Sequence, residues 1–433
     1  MQQESAIGAP PDLNPEYGPV FSRLRKLWQA IPTPFRHGLW RIVGPGVQTA
    51  YAHAWLARPA SCVPVSTEAP LVVAGLFSTA NGIGEAARST YRALEAAGLS
   101  PIAVDLSGKL APVDLDSGIP CQPMPSDKEG ILILQQNGPE VRAALQHLGM
   151  YRGCRWFTVG YWAWELPVFP KGWQQTFPFL SELWTISNFT RQALERHPRS
   201  PAVHVFPHAV SPPATIARDR AQFGWQDSEF VFLMMVDSMS SFERKNPQAA
   251  IRAFRAAFGD DPSRRLVVKT RNLCRDKTAA ENLASWVAGA PNIEVLDASL
   301  PEQKRWELIE AADAVVSLHR AEGFGFVIAE AMRLGKPVIT TDWSGHMDFT
   351  SADTAFLVPS RLVPCEDIYG VYNDGGAKWA EPDLMVAAEQ MRVVVADAEA
   401  RQARCAAAQK NIVHFADLER IGQAMAARLR ANA

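Results

Sequence analysis

The stretch SLHRAEGFGFVIAEAMRLGKPVITTDWSG, residues 317–345, decides the fold of this chain. An apolar run, ADAVVSL, leads into it as a buried strand would, and FVIAEAMRL has the apolar spacing of a helix. Gly335 and Pro337 end that helix, and PVITT begins a second strand. A strand, a loop, a helix and another strand form the unit of a parallel sheet, so the segment predicts an α/β protein. The loop RAEGFG then lies at the carboxyl end of a strand.

The same alternation of elements occurs in both halves of the chain. PLVVAGLF, GIGEAARSTYRALEAAG and SPIAVDLS read as strand, helix and strand, and the alternation resumes after residue 225. Residues 211–225, SPPATIARDRAQFGW, are rich in breakers and separate the two blocks. We therefore predict an α/β protein with two Rossmann-like domains whose parallel sheets face a central cleft. The predicted parts are an N-terminal extension (1–65), an N-terminal domain (66–215), a C-terminal domain (216–410) and a C-terminal helix that crosses back to the N-terminal domain (411–433).

Composition excludes several classes of function. A net charge of -2 over 433 residues argues against nucleic-acid binding, which needs an excess of Lys and Arg. The six cysteines are scattered, without the spacing of metal ligands, which suits a reducing cytosol. The only D-x-D, Asp114 to Asp116, lies in a polar turn without other ligands, so no metal is expected.

The N-terminal extension has two interpretations. Residues 21–43, FSRLRKLWQAIPTPFRHGLWRIV, mix arginines with tryptophan and phenylalanine, a composition typical of a segment on an anionic membrane surface. Alternatively, its aromatic residues pack on the body of the protein. No run is long and apolar enough to span a bilayer. The expected location is the cytoplasm, at the inner membrane surface if this segment binds lipid.

The loop and helix of the opening stretch suit a ligand with phosphates and hydroxyl groups. Gly323 and Gly325 allow close backbone approach, and the N–H groups of residues 326–328 at the helix start can bind phosphate. Glu322 lies in the loop and Glu330 early in the helix, so both carboxylates are expected to face one cleft. Alternatively, Glu322 is a solvated acid and Glu330 a surface residue, but alanines flank Glu330, and a buried carboxylate requires a partner.

The sequence GIGEAA, residues 82–87, keeps an oxidoreductase in consideration. It matches G-x-G-x-x-A after a predicted strand, and Asp105 ends the next strand where a dinucleotide fold has its ribose-binding acid. The alternative is a tight turn that binds no ligand. Nicotinamide binding would distinguish an NAD(P)-dependent oxidoreductase from the other interpretations.

Taken together, these segments resemble a known enzyme family. EGFGFVIAE resembles the E-x7-E motif of the retaining nucleotide-sugar glycosyltransferases of family 4, and VDSMSSFERKNPQAAIRAFRAAF resembles their phosphate-binding strand, loop and helix. GYWAWELPVFPKGW is similar to one bacterial branch, and the resemblance covers roughly residues 71–425. It implies the GT-B arrangement, with the donor in the C-terminal domain, the acceptor mainly in the N-terminal domain, and retention of anomeric configuration.

The resemblance also implies roles for individual residues. Glu330 would hold the donor ribose, Glu322 would contact the donor sugar, and Lys245 would neutralise the departing diphosphate. Many relatives have an arginine near the position that Asp237 occupies here, and this sequence has none at that point. Arg244, then Lys269, are the candidates for this second phosphate cation. The other implied donor-binding residues are Gly82, Gly84, His319, Gly323, Phe324, Gly325, Phe326, Val327 and Ile328.

The N-terminal domain offers one candidate catalytic residue. Many relatives have a histidine near the reacting sugar, whereas TVGYWAWELP offers Glu165. This residue either acts on an acceptor hydroxyl or caps a neighbouring element. Trp162, Trp164 and Trp173 form either a sugar-stacking face or part of the core. His208 is interpreted as structural.

The predicted function is transfer of a sugar from a nucleoside-diphosphate sugar to a saccharide or lipid-linked saccharide, without a further cofactor. Bacterial surface-polysaccharide or glycolipid synthesis is the expected setting. A catalytically silent sugar-nucleotide-binding protein is the remaining alternative.

Overall fold

The computed structural model describes residues 52–64, 69–368, 370–373 and 376–432. The basic aromatic segment 21–43 lies outside this part of the chain. Within the described residues, no helix combines the length and the apolar character needed to cross a bilayer.

Six short apolar runs of the N-terminal half form one parallel sheet. They are β1 (Leu71–Gly75), β2 (Ile102–Asp105), β3 (Glu129–Leu134), β4 (Arg155–Trp162), β5 (Glu182–Thr185) and β6 (Val203–Val205). Their order across the sheet is β2-β1-β3-β4-β5-β6. Three of the connections contain the helices α1 (Gly82–Ala96), α2 (Gly138–His147) and α3 (Asn188–Glu195). Because all six strands are parallel, their carboxyl ends share one edge of the sheet.

The C-terminal half repeats this arrangement. Its strands are β7 (Phe230–Met235), β8 (Arg264–Thr270), β9 (Ile293–Asp297), β10 (Ala314–Ser317), β11 (Val338–Thr341) and β12 (Phe356–Val358), in the order β12-β11-β10-β7-β8-β9. The connecting helices are α4 (Phe242–Lys245), α5 (Pro247–Phe258), α6 (Lys277–Val287), α7 (Glu302–Ala311) and α8 (Phe326–Arg333). Two parallel sheets with connecting helices confirm the predicted fold class. Strand β12 was not predicted from the sequence pattern.

The last part of the chain contains a hairpin and three helices. The antiparallel strands β13 (Ser360–Pro364) and β14 (Lys378–Pro382) are followed by α9 (Leu384–Ala396), α10 (Ala398–Phe415) and α11 (Leu418–Arg430). The segment 411–433 therefore starts inside α10 and contains a break before α11. At that break, the N–H of Val210 donates to the carbonyl of Ala416 (3.1 Å), so the two passages of the chain between its halves lie side by side.

Helix α11 packs on α1 of the N-terminal half. Gly422 makes this close approach possible, because a Cβ atom there would lie 1.8 Å from the carbonyl oxygen of Ala93. Arg428 adds an ion pair with the buried Glu182 (2.7 Å). The C-terminal helix is thus part of the N-terminal packing unit.

Replacing Gly422 by alanine is expected to lower the free energy of unfolding by about 1–3 kcal/mol, the typical cost of overpacking. Alanine has the better helix propensity, but the clash involves the backbone of α1, which cannot rotate away. Urea denaturation measures the effect. Gly172→Ala is the control, because nothing lies within 4 Å of the added Cβ. Equal stability of the two variants would contradict the tight α11–α1 contact.

Candidate active site

A cavity of 1110 Å³ opens between the carboxyl edges of the two sheets. One wall comes from loops that follow β1, β2 and β4, and the other from loops that follow β7, β8 and β10 together with the start of α8. All the site residues predicted from the sequence line this cleft except Gly84, His319 and Glu330.

The start of α8 presents free backbone donors to the cleft. Gly325 precedes the helix with a φ of 92°, a left-handed conformation that favours glycine, and it has no side chain to cap the helix. The first helical hydrogen bond runs from the N–H of Ala329 to the carbonyl of Gly325. The N–H groups of Phe326, Val327 and Ile328 precede that bond and suit an anion.

Glu322 is held rigidly beside this helix start. Its N–H donates to the hydroxyl of Ser344 (2.9 Å), and its carbonyl accepts from Gly345 (2.8 Å). Its carboxylate pairs with the ammonium of Lys245 and lies 3.5 Å from a guanidinium nitrogen of Arg244. Burial alone would raise the pKa of Glu322, but these two cations bring it down to about 2. The carboxylate is therefore charged at neutral pH.

Lys245 and Arg244 both belong to the short helix α4, but they differ in their exposure and in how many of their hydrogen-bond donors have protein partners. The side chain of Lys245 is 22% exposed and lines the cleft with one carboxylate partner, Glu322. Arg244 is 2% exposed and donates to the carbonyls of Ala321 (2.7 Å) and Ser240 (3.2 Å). Most of the donors of Arg244 therefore already have protein partners.

Glu165 joins the same network from the N-terminal half. Its carboxylate lies 3.8 Å from Arg244 and accepts a hydrogen bond from the hydroxyl of Tyr372 (3.2 Å). Tyr372 follows β13 and stacks on Trp164, with ring centroids 5.4 Å apart. The segment after β13 thus reaches across to the N-terminal half, and Glu165 stays at the cleft surface.

Lys269 lies at the end of β8, with Asp237 and Asp297 as its more distant counter-charges. Its side chain is buried, and no ion pair within 4 Å is present among the described residues. Burial lowers the pKa of Lys269 to about 8, and the positive charges of Arg271 and Arg305 add to this shift. An anion in the cleft would reverse the shift.

Glu330 departs from the expectation that both carboxylates face the cleft. It is 2% exposed, and its carboxylate forms an ion pair with Arg305 of α7. Burial raises the pKa of Glu330, although Arg305 opposes the shift. It is Arg305, together with Glu85 of α1, that lines the cleft at this point. The expectation failed because a helix pattern does not reveal which residue stands between a carboxylate and a cavity.

The glycines predicted for the site serve different purposes. Gly82 is open to the cleft, with nothing within 4 Å of an added Cβ. At Gly84 the Cβ would lie 2.2 Å from the carbonyl oxygen of Thr79, so this glycine is required by the turn itself. At Gly323 it would lie 2.9 Å from Ile186, which shows a close approach to the N-terminal half.

The two histidines occupy different environments. His319 is fully buried below the loop, where its Nδ1 lies 2.9 Å from the hydroxyl of Ser317. His208 lines the cleft and stacks on Phe326, with ring centroids 4.8 Å apart and nearly parallel planes. Burial lowers the pKa of both imidazoles to about 3, so both are neutral at physiological pH.

Trp162 and Trp164 are buried, which supports the interpretation that they belong to the core. Asp105 accepts a hydrogen bond from the N–H of Ser107 (2.8 Å) and does not line the cleft. Asp114 does line it, 3.8 Å from Arg271 of the opposite wall.

Sequence reasoning did not identify several residues of the cleft, notably Glu85, Arg271 and Arg305, or the buried Tyr372 that bonds to Glu165. Arg305 belongs to EQKRWELIEA, a polar helix that reads as a solvated surface. Arg271 was not identified because its partner, Asp237, is 34 residues away in the sequence (2.8 Å in space). The one signal in the sequence was the absence of an arginine near Asp237, which indicated that another residue must act as the second phosphate cation.

Comparison with known proteins finds a family match within the C-terminal half. Residues 231–366, less than a third of the chain, match the family described as glycosyl transferases group 1. This match contains Lys245, Lys269, Arg305, Glu322 and Glu330. No curated protein matches the chain.

Three solved structures share the fold over 84% of this chain, each with a TM-score of 0.60. The Anabaena protein Alr3699/HepE, solved with UDP and glucose, is 15% identical and is covered over 100% of its length. A glycosyltransferase from Rickettsia africae is 13% identical and covered over 99%. Sucrose-phosphate synthase from Thermosynechococcus elongatus is 14% identical and covered over 99%. The chain has the GT-B fold and carries a group 1 glycosyltransferase domain, which confirms the prediction of a glycosyltransferase.

Proposed function

We propose that this protein transfers a sugar from a nucleoside-diphosphate sugar to a saccharide or lipid-linked saccharide. The observation that carries this proposal is the Glu322–Lys245 ion pair beside the open start of α8, inside the matched domain and at the cleft surface. HepE, which shares the fold, was solved with UDP-glucose. A sugar nucleotide combines the two features that this arrangement suits, namely phosphates and hydroxyl groups.

The proposed chemistry follows from the charges of the site. As the bond between the sugar and the diphosphate breaks, negative charge grows on the leaving phosphate. Lys245 and the N–H groups at the start of α8 are fixed positive groups that can stabilise this charge. Glu322, charged and held in place, would accept hydrogen bonds from the hydroxyls of the donor sugar.

The remaining steps extend the family resemblance. We propose that the acceptor oxygen bonds to the anomeric carbon on the face that the diphosphate leaves, and that the leaving phosphate takes the acceptor proton. Anomeric configuration is then retained. Independence of metal stays a prediction, as does the role of Glu165 toward the acceptor.

The biological setting also stays a prediction. Surface-polysaccharide or glycolipid synthesis at the inner face of a bacterial membrane is supported by the basic aromatic composition of residues 21–43. That segment lies outside the described residues.

A thermal-shift screen against UDP, GDP, ADP and their sugars tests the donor class. At a hundred times its dissociation constant, the true donor is expected to stabilise the protein by about 2.7 kcal/mol. NADH and NADPH are included as competitors for the GIGEAA turn. Stabilisation by a nicotinamide cofactor, with no response to any nucleoside diphosphate, would contradict the proposal.

A further inference from the structure

Tyr372 lies in the segment between β13 and β14 and joins the C-terminal half to the N-terminal wall of the cleft. It is 8% exposed, and its ring stacks on Trp164 of the N-terminal half with centroids 5.4 Å apart. Its hydroxyl donates to the carboxylate of Glu165 (3.2 Å). The family match covers residues 231–366, so it contains neither Tyr372 nor Glu165.

The segment that carries Tyr372 is anchored to α4 of the C-terminal half. Asp367 is buried, and its two carboxylate oxygens accept hydrogen bonds from the hydroxyl of Ser241 before α4 (3.0 Å) and from the N–H of Val371 (2.7 Å). The side chain of Asn373 accepts from the N–H of Asp367 (2.9 Å) and braces the turn from the other side. The position of Tyr372 is therefore set by the C-terminal half.

The hydroxyl of Tyr372 is a lasting hydrogen-bond donor to Glu165. Burial raises the pKa of Tyr372 well above its ordinary value, so the phenol keeps its proton at physiological pH. The other oxygen of Glu165 lies 3.8 Å from Arg244, which is a loose ion pair. Among the described residues, the Tyr372 hydroxyl is thus the polar group closest to the Glu165 carboxylate.

The ring and the hydroxyl of Tyr372 have separable roles. The ring belongs to an apolar cluster shared by the two halves, which includes Trp164 from one half and Ala321 and Trp379 from the other. Phenylalanine in its place would keep these contacts. The tyrosine hydroxyl is needed only for a polar partner, and that partner is Glu165.

Glu165 lies at the cleft surface and is linked to the proposed donor site by Arg244. The guanidinium of Arg244 lies 3.8 Å from Glu165 and 3.5 Å from Glu322. Glu322 belongs to the wall proposed for the donor, whereas Glu165 belongs to the opposite wall, which is left for the acceptor. A change in the position of Glu165 would therefore act on the acceptor first. A displacement of about 1 Å in a reacting group can lower a rate about a hundredfold.

We propose that Tyr372 is a positioning residue for sugar transfer. Its hydroxyl holds the Glu165 carboxylate at the cleft surface, where that carboxylate accepts a hydrogen bond from a hydroxyl of the saccharide acceptor. Tyr372 does not line the cleft, so it acts through Glu165. The inference rests on the proposed function, since it concerns the acceptor side of the same site.

A crystal structure of Tyr372→Phe tests the positioning directly. We expect the phenylalanine ring to stay on Trp164 and the Glu165 carboxylate to leave its wild-type position. A Glu165 carboxylate in the wild-type position would overturn the proposal. This readout needs no substrate, so it is independent of the proposed function.

Steady-state kinetics measure the consequence for the reaction. The donor is the nucleotide sugar selected in the thermal-shift screen, and methyl glycosides of common hexoses serve as acceptors. Tyr372→Phe is expected to lower kcat/KM for the acceptor at least about tenfold, the effect of losing a hydrogen bond to a charged group. Affinity for the nucleoside diphosphate, measured by calorimetry, should change less than about twofold. Unchanged kcat/KM, or an equal loss of nucleotide affinity, would overturn the proposal.

A double-mutant cycle shows whether Tyr372 acts through Glu165. In a Glu165→Ala background, Tyr372→Phe should lower kcat/KM by less than about twofold, because the hydroxyl has already lost its partner. An undiminished effect of Tyr372→Phe in that background would contradict the assigned route. Tyr91→Phe is the matched control, because Tyr91 is also 8% exposed but does not line the cleft.

The results distinguish this inference from the proposed function. If the wild-type protein binds no nucleoside diphosphate, the proposed function fails. If it transfers the sugar and Tyr372→Phe does so equally well, only this inference fails. If it binds the nucleotide but uses none of the glycosides, the crystal structure of Tyr372→Phe decides. A circular-dichroism melt confirms that each variant is folded. If Tyr372→Phe is unfolded, normal acceptor kinetics of Glu165→Ala would overturn the proposal instead.

Discussion

Glu322→Ala is expected to reduce kcat/KM for sugar transfer at least about a thousandfold, while affinity for the nucleoside diphosphate stays within about fivefold. The carboxylate lies at the cleft surface, charged and fixed by two cations and by the hydroxyl of Ser344. Its loss removes the proposed acceptor for the hydroxyls of the donor sugar and frees Lys245 from its partner. Steady-state kinetics and calorimetric titration measure the two quantities separately.

A matched acid in the same cleft provides the control for this variant. Asp114 also lines the cavity and forms a looser ion pair, 3.8 Å from Arg271, so Asp114→Ala should lower activity far less. Glu322→Gln keeps the size of the side chain and tests whether charge is required. Near-normal transfer by both Glu322 variants would contradict the assigned role.

Lys245→Met is expected to lower kcat by about a thousandfold, because it removes a fixed positive charge that we propose stabilises the leaving diphosphate. Lys245 is also the cation that lowers the pKa of Glu322 most. Without it, the pKa of Glu322 should rise from about 2 toward its ordinary value. The residual activity of Lys245→Met should therefore fall off at a higher pH than that of the wild type as the solution is acidified. A pH–rate profile measures this shift.

Lys245→Arg and Lys277→Met are the controls for this variant. Arginine keeps the charge and should retain more activity than methionine. Lys277 is 90% exposed, pairs with Glu281 on the surface of α6, and should be dispensable. If Lys245→Met keeps wild-type kcat, the charge at this position does not act on the leaving group.

The sequence allowed the fold and part of the site to be predicted because both depend on local patterns. The spacing of apolar runs indicated the two parallel sheets. The helix that starts after Gly325 and the loop that holds Glu322 are only a few residues apart, so one short segment predicted their relation. Lys245 was predicted from the resemblance of its segment to a phosphate-binding loop.

Pairings between distant segments could not be predicted in this way. Arg305 lies 25 residues before Glu330 on a helix whose pattern reads as polar surface, and only the packing of α7 against α8 brings the two side chains together. Tyr372 meets Glu165 across 207 residues. Which carboxylate of the site pairs with which cation depends on distances in space, and a pattern of residue types does not contain those distances.

The return of α11 to the N-terminal half has a practical consequence for dissecting this enzyme. A fragment cut after residue 410 would separate α1 from the helix that covers it, and Glu182 from Arg428. Chimeras that exchange the C-terminal half with a relative should therefore keep residues 418–430 with the recipient, and join the parts at both neighbouring crossover points, Val210 and Ala416.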